Sequence, residues 1–253
     1  YQENAGLPGA RNTALAQAKG KYIQLLDADD LLEQDKLRLQ VELMEANTNI
    51  SLVYSNILLF QSEASKREFK DFILPNNVRP SGKNEVIIND LVNDTFFLPG
   101  CVIFRKEVYE KVGKFNESLY GLEDWNYWFR AALLGFEFYS DDRVGTRLLC
   151  RDHEANMSKA YVKMLNARIQ SRMHIMHVTQ VLKSEKKLKV SNSFIDSILR
   201  KHKLLLLLDQ YEYHFHFGSK YVGLKSLVKY SYYSKKPFYI FKRIKIFLDR
   251  KSS

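Results

Sequence analysis

The sequence predicts an α/β fold with a mainly parallel sheet flanked by helices, followed by a helical C-terminal extension. Through the first 150 residues, helix-like and strand-like segments alternate, the pattern of strands joined by crossover helices. Beyond that point strand-like runs give way to long helical stretches and the charge changes sign. Residues 151–253 hold 22 Lys and Arg against 7 Asp and Glu, whereas residues 1–150 hold 17 against 22. The formal net charge of +10 is therefore entirely a property of the C-terminal part. With 253 residues and 45% apolar content, the chain can bury one large core plus an appendage and is not of disordered composition.

Taken in order, the turn-forming run Gly6-Leu7-Pro8-Gly9 leads into a helix over residues 13–19 that Gly20 stops. Residues 22–26 form a short apolar strand, 34–47 a helix and 51–60 a second strand. Residues 61–83 are polar and contain Pro75, Asn76, Asn77, Pro80 and Gly82, so they are expected to loop over the active face. A short helix at 88–93, a buried strand at 101–104, a helix at 106–112 and a turn at Gly113-Lys114-Phe115 follow. The next helix opens with Glu123-Asp124-Trp125. Its apolar face is Trp125, Trp128, Phe129, Ala132 and Leu133, spaced i, i+3, i+4, i+7 and i+8. Helices over 161–182, 193–207, 218–230 and 238–248 make up the tail.

Composition excludes several classes. Cys101 and Cys150 are too few for a disulfide framework and sit in apolar contexts, which favours a reducing cytoplasm. No apolar run approaches the roughly 18 residues that span a bilayer, and no signal peptide is visible, so the chain is expected to be soluble or peripheral.

The chemistry concentrates in two acidic patches. Asp27-Ala28-Asp29-Asp30 directly follows a buried strand, the sheet edge at which open α/β folds bind ligands. Hard oxygen ligands of this kind suit Mg²⁺ or Mn²⁺, whose shells are commonly completed by substrate phosphates, so a metal-bound nucleotide diphosphate is the natural guest. The same residues also suit a helix cap. The second patch, Glu123-Asp124, stands at a helix N-terminus. There a carboxylate can take the proton of an attacking hydroxyl, and Asp124 is the candidate base. Capping is again the alternative, and Trp125 reads as core or as a platform for an acceptor sugar. Arg11 and Asn12, expected at or just inside a helix start, offer a guanidinium and free backbone N–H groups to phosphate or base, or merely close a turn.

In their order, Asn4-Ala5-Gly6 through Arg11-Asn12, the Asp27–Asp30 cluster, Gly121-Leu122-Glu123-Asp124-Trp125, and Arg151-Asp152-His153 with Asn156-Met157-Ser158 resemble the family 2 glycosyltransferases over residues 1–158. That resemblance implies a GT-A-like fold, inversion at the anomeric carbon, a nucleotide-diphosphate sugar donor and a saccharide or lipid-linked acceptor, with surface polysaccharide synthesis as the pathway. It also implies that strand and helix units normally preceding Asn4 are missing from this chain. By the same resemblance Asp29 is the preferred metal ligand and Asp27 serves the ribose or the metal shell. His153 meets metal or diphosphate, while Glu123 and Asp30 support the site. Gln34 stands where the family often has Pro. Two rivals are a sugar nucleotidyltransferase and an inactive membrane-binding or scaffolding module.

The end of the tail interleaves Lys and Arg with Tyr and Phe, as basic amphipathic helices on anionic leaflets do, which places the protein on the inner face of the plasma membrane. A solvated helical hairpin would show the same residues. Nucleic acid is not expected as a partner, because no recognised module is present and the first part is acidic.

Overall fold

The computed structural model describes residues 2–61, 69–72, 79–153 and 160–235. Asn156, Met157, Ser158, Pro75, Asn76, Asn77 and the helix expected at 238–248 lie outside them. The elements are α1 (Gly6–Gln17), β1 (Tyr22–Gln24), β2 (Leu31–Leu32), α2 (Lys36–Ala46), β3 (Leu52–Ser55), β4 (Ile57–Phe60), β5 (Phe69–Phe72), α3 (Glu85–Leu91), β6 (Val102–Arg105), α4 (Lys106–Val112), α5 (Glu123–Leu133), β7 (Phe138–Asp141), β8 (Leu148–Arg151), α6 (Tyr161–Ser184), α7 (Asn192–Phe217) and α8 (Lys220–Ser234).

The first sheet has the order β1-β6-β3-β7. β6 is antiparallel to both β1 and β3, and β7 is parallel to β3. Three strands therefore run one way and β6 alone runs against them. Strand direction matches the mainly parallel expectation, but neighbour pairing does not. β6 leaves a single 3₁₀ turn at Pro99–Cys101 and enters the centre of the sheet, where Val102, Ile103 and Phe104 are buried, instead of arriving from a crossover helix. The second sheet, β2-β8-β4-β5, is mixed, with only β4 and β8 parallel.

The run 51–60, expected as one strand, divides at Asn56. β3 belongs to the first sheet and β4 to the second. The Asn56 carbonyl accepts from the Leu148 N–H at 3.0 Å, which fixes the crossing. The polar stretch 61–83 is not all loop. β5 pairs with β4 from Ile57 opposite Phe72 to Phe60 opposite Phe69, and Gly82 bridges to Phe138.

Between the sheets and helices lies an aromatic core. Trp125, Trp128 and Phe129 of α5 are fully buried, with Phe97 and Phe104 packed on Trp128 and Phe138 on Phe97. The C-terminal helices share this core rather than hanging from it. α6 packs on α5, α7 on α6 and α8 on α7, and Ile175, Ile195 and Ile198 join the same apolar cluster as Trp125. Gly100, just before β6, touches this core closely enough that a Cβ would stand 2.9 Å from Leu148 Cδ1. Gly100→Ala should therefore lower stability by about 1–2 kcal/mol, read as a lower midpoint in chemical denaturation with an unchanged slope.

Candidate active site

α1 begins at Gly6, whose φ of +69° suits glycine, and carries Pro8 in its first turn, where its missing N–H leaves no gap in the helix. Arg11 and Asn12, expected at or just inside a helix start, thus lie in the second turn, and their backbone N–H groups are inside the helix rather than free. They diverge from there. Asn12 turns to the loop before α5, where its amide donates to the Phe115 carbonyl (3.0 Å) and to Glu117 (2.7 Å) and accepts from the Phe115 N–H (2.8 Å). It is a buried clamp and does not reach the cleft. Arg11 is also buried, and its guanidinium bridges the two acidic patches, pairing with Asp27 at 3.3 Å and with Glu123.

The patches converge on one cleft of about 360 Å³. Asp27, Asp29, Asp30, Arg151 and His153 line one part of it, and Leu122, Glu123 and Asp124 another. Leu7, Arg11, Thr95, Leu98 to Gly100, Cys150 and Met164 line the rest.

Environment separates the carboxylates. The Asp29 side chain is 42% exposed and sits 2.9 Å from His153 Nε2. The hydrogen bond from His153 holds its carboxyl below the usual range, against a smaller opposing effect of burial. Asp30 is half-buried and accepts from the Arg151 N–H at 2.9 Å, and burial raises its carboxyl. Asp124 is 7% exposed. Burial first, and the neighbouring Glu123 second, push its carboxyl up to about 7, while the Arg11 cation and the Trp125 N–H act in the other direction.

Trp125 is core, not platform. It is fully buried, and its indole N–H donates to the Leu91 carbonyl at 2.7 Å.

A group that the sequence does not reveal holds this geometry from behind. Arg172 on α6 is 1% exposed. It pairs with Asp209 of α7 at 2.8 Å, donates to the carbonyls of Val92 and Asn93, and lies 4.9 Å from the Trp125 ring. Arg168 pairs with Asp94 at 2.7 Å, next to the cleft residue Thr95. Ser171 donates to the Leu122 carbonyl at 3.0 Å. Leu122 is held in the left-handed region, φ 56°, immediately before Glu123 and Asp124. The only sequence signal for this support is the spacing of Arg168, Ser171 and Arg172 along one helix face.

The donor set at Asp29 fits a hard divalent cation. Adjacent ligands of an octahedral ion with bonds of about 2.1 Å stand about 3 Å apart, and the observed Asp29–His153 separation is 2.9 Å. Among the described residues no three His, Cys, Asp or Glu side chains are gathered at metal-binding distance. Remaining positions would fall to phosphate oxygens and water, as is usual for Mg²⁺.

Residues 1–113 match the family model described as glycosyl transferase family 2. Somewhat less than half of the chain is thus similar to that family. The family 2 match is accompanied by curated relatives. An uncharacterized glycosyltransferase of Methanocaldococcus jannaschii is 27% identical over 138 residues, 54% of this chain and 44% of the relative. One of Rickettsia conorii is 26% identical over 132 residues, 51% of this chain and 21% of the relative. The chain thus spans less than half the length of these relatives. The Escherichia coli protein named UDP-Glc:alpha-D-GlcNAc-diphosphoundecaprenol beta-1,3-glucosyltransferase WfgD is 41% identical over 64 residues, 25% of each chain. Among solved structures, S. aureus TarS 1-349 is similar over 92% of this chain and 62% of its own, with a TM-score of 0.55 at 14% identity. That likeness establishes a GT-A-like α/β fold.

Two outcomes follow from the charge balance around the cleft. Arg11→Met strands the buried Glu123 carboxylate and should cost about 3–5 kcal/mol in thermal or chemical unfolding, with part of the loss restored by adding Glu123→Gln. The raised Asp124 carboxyl binds a proton in the folded chain that the unfolded chain releases, so folding loses stability as pH rises from about 4 through about 7. Asp124→Asn should therefore stabilise the protein by about 1–3 kcal/mol at pH 8 and have little effect at pH 4, a difference read by Tm at the two pH values.

Proposed function

We propose that the cleft transfers a sugar, with inversion, from a nucleotide-diphosphate donor to a saccharide or lipid-linked acceptor in surface polysaccharide synthesis. The observation that carries this reading is the meeting of Asp29 and Asp124, far apart in sequence, on one cleft. Transfer by direct displacement needs charge neutralised on the departing diphosphate and a proton removed from the incoming hydroxyl. The two patches suit those two tasks.

Asp124 is the base. A carboxyl raised to about 7 is a stronger proton acceptor than an ordinary aspartate and is half ionised near neutral pH. Its wall of buried side chains excludes water that would compete with the acceptor hydroxyl. Glu123, paired with Arg11, lies beside Asp124, and its repulsion adds to the rise of the Asp124 carboxyl. In the same cleft Asp29 and His153 would hold Mg²⁺ or Mn²⁺, with Asp27 in the surrounding shell. When bound, this ion supplies electrostatic neutralisation of the leaving diphosphate. Asp27 also faces the donor ribose, and Asp30 fixes the Arg151 backbone behind the ligands. Arg11, which lines the same cleft, orders Asp27 and offers its guanidinium to the donor phosphates.

Three comparisons support the class of substrate. The family 2 match covers both Arg11 and the Asp27–Asp30 cluster. The name of the Escherichia coli relative specifies a UDP-sugar donor and a diphosphoundecaprenol-linked acceptor. A TarS structure with a TM-score of 0.51 was solved in complex with UDP. The reading places the protein in the cytoplasm, peripheral to the membrane that carries such an acceptor.

The test is donor turnover by the whole chain with UDP- and GDP-sugars and Mn²⁺. Asp29→Asn should remove metal-dependent turnover and lower Mn²⁺ affinity measured by calorimetry. Asp124→Asn should lower kcat by about 10²–10⁴-fold while donor KM stays within a few-fold. Activity of the wild type should fall below about pH 7 with a slope of one proton. Retention of full activity in Asp124→Asn would overturn the assignment.

A further inference from the structure

Helix α8 turns one face to α7 and leaves the other bare. Gly223, Ser226, Leu227 and Ser231 are buried. A side chain at Gly223 would stand 3.2 Å from the Tyr211 carbonyl, so the two helices meet closely there. The outer face carries Tyr221, Leu224, Val228 and Tyr232, which succeed one another at i, i+3, i+7 and i+11 and so form one stripe. All four are exposed, Tyr221 at 76% and Tyr232 at 78%. Lys225 and Lys229 lie along the same stripe and are exposed, and the helix contains no acidic residue.

Single exposed apolar residues need no explanation, but an aligned group of four flanked by cations does. Charge identifies the occupant. A face with lysines and no carboxylate repels basic partners and attracts an anionic surface, and tyrosine rings favour the boundary between headgroups and acyl chains. The chain continues in the same sense, since residues 236–253 hold six Lys and Arg against one acidic residue, with Phe238, Tyr239, Phe241 and Phe247 among them.

We propose that the outer face of α8 seats this protein on an anionic bilayer leaflet, with Tyr221, Leu224, Val228 and Tyr232 at the headgroup boundary and Lys225 and Lys229 facing lipid phosphates. The face uses no residue of the cleft, so its test is independent of the transferase reading. Amphipathic attachment of this kind gains from both buried apolar area and charge attraction, and both contributions are accessible to substitution.

The experiment is co-sedimentation of the full chain with vesicles of phosphatidylcholine alone and of phosphatidylcholine carrying about a quarter phosphatidylglycerol. Binding should be confined to the anionic vesicles and should weaken as salt is raised. Lys225→Glu with Lys229→Glu should lower the apparent affinity roughly tenfold or more. Tyr221→Ser with Val228→Ser should lower it at constant charge, whereas Lys19→Glu with Lys114→Glu should leave it within about twofold. Circular dichroism checks that the surface variants keep the fold. Equal binding to neutral vesicles, or binding unmoved by the α8 substitutions, overturns the proposal. So does a stable dimer, seen by analytical ultracentrifugation, that these substitutions dissolve while the wild type ignores vesicles.

Discussion

Two clusters of carboxylates can face one cleft only if something offsets their repulsion, and Arg11 does so. Its guanidinium touches Asp27 on one wall and Glu123 on the other while itself removed from water. A buried cation that satisfies two anions is costly to desolvate, and breaking such a group is more costly still. The arrangement ties α1, the end of the first strand and the start of α5 into one electrostatic unit. Glu123 is occupied by Arg11, whereas Asp124 makes no ion pair among the described residues.

That division explains why neighbouring acids have different characters. Asp29 is partly exposed, hydrogen-bonded to His153 and shifted toward ionisation. Asp124 is enclosed and shifted toward the neutral form. One suits a cation and the other suits a proton, although they are the same residue type in the same cavity. The C-terminal helices contribute side chains that hold the backbone of the cleft wall. Arg172 and Ser171 hold the carbonyls of Val92, Asn93 and Leu122, so the cleft wall and the left-handed residue before α5 are braced from α6.

Much of this was legible in the sequence where local chemistry decides structure. The helix 106–112 has the expected bounds, and the helix opening at Glu123 begins where its carboxylates suggest. The acidic patches are brought together as expected. What escaped is long-range. Nothing local to residues 101–104 says that this strand runs against its neighbours, because direction depends on which gap in the sheet it fills. The run 51–60 is uniformly apolar, so periodicity gives no hint that it changes sheet at Asn56. Asn12 and Arg11 are adjacent and polar, yet one clamps a loop and the other spans the cleft; only the positions of Phe115 and Glu123, more than a hundred residues away, tell them apart. Arg172 resembles any basic residue of a positively charged tail, and its burial follows from Asp209 and the carbonyls at the end of α3.

The crossing at Asn56 has a mechanical consequence. One residue separates β3 from β4, and the partner strands β7 and β8 repeat the passage from one sheet to the other in the same direction. The chain stitches the two layers together twice within a short distance and leaves no slack for a hinge between them. Slipping the β4 seam by one position would send Ile57 and Phe60 each to the other face of the sheet, because side chains alternate along a strand. The two layers are accordingly held at a constant gape, and a guest is not accommodated by their swinging shut.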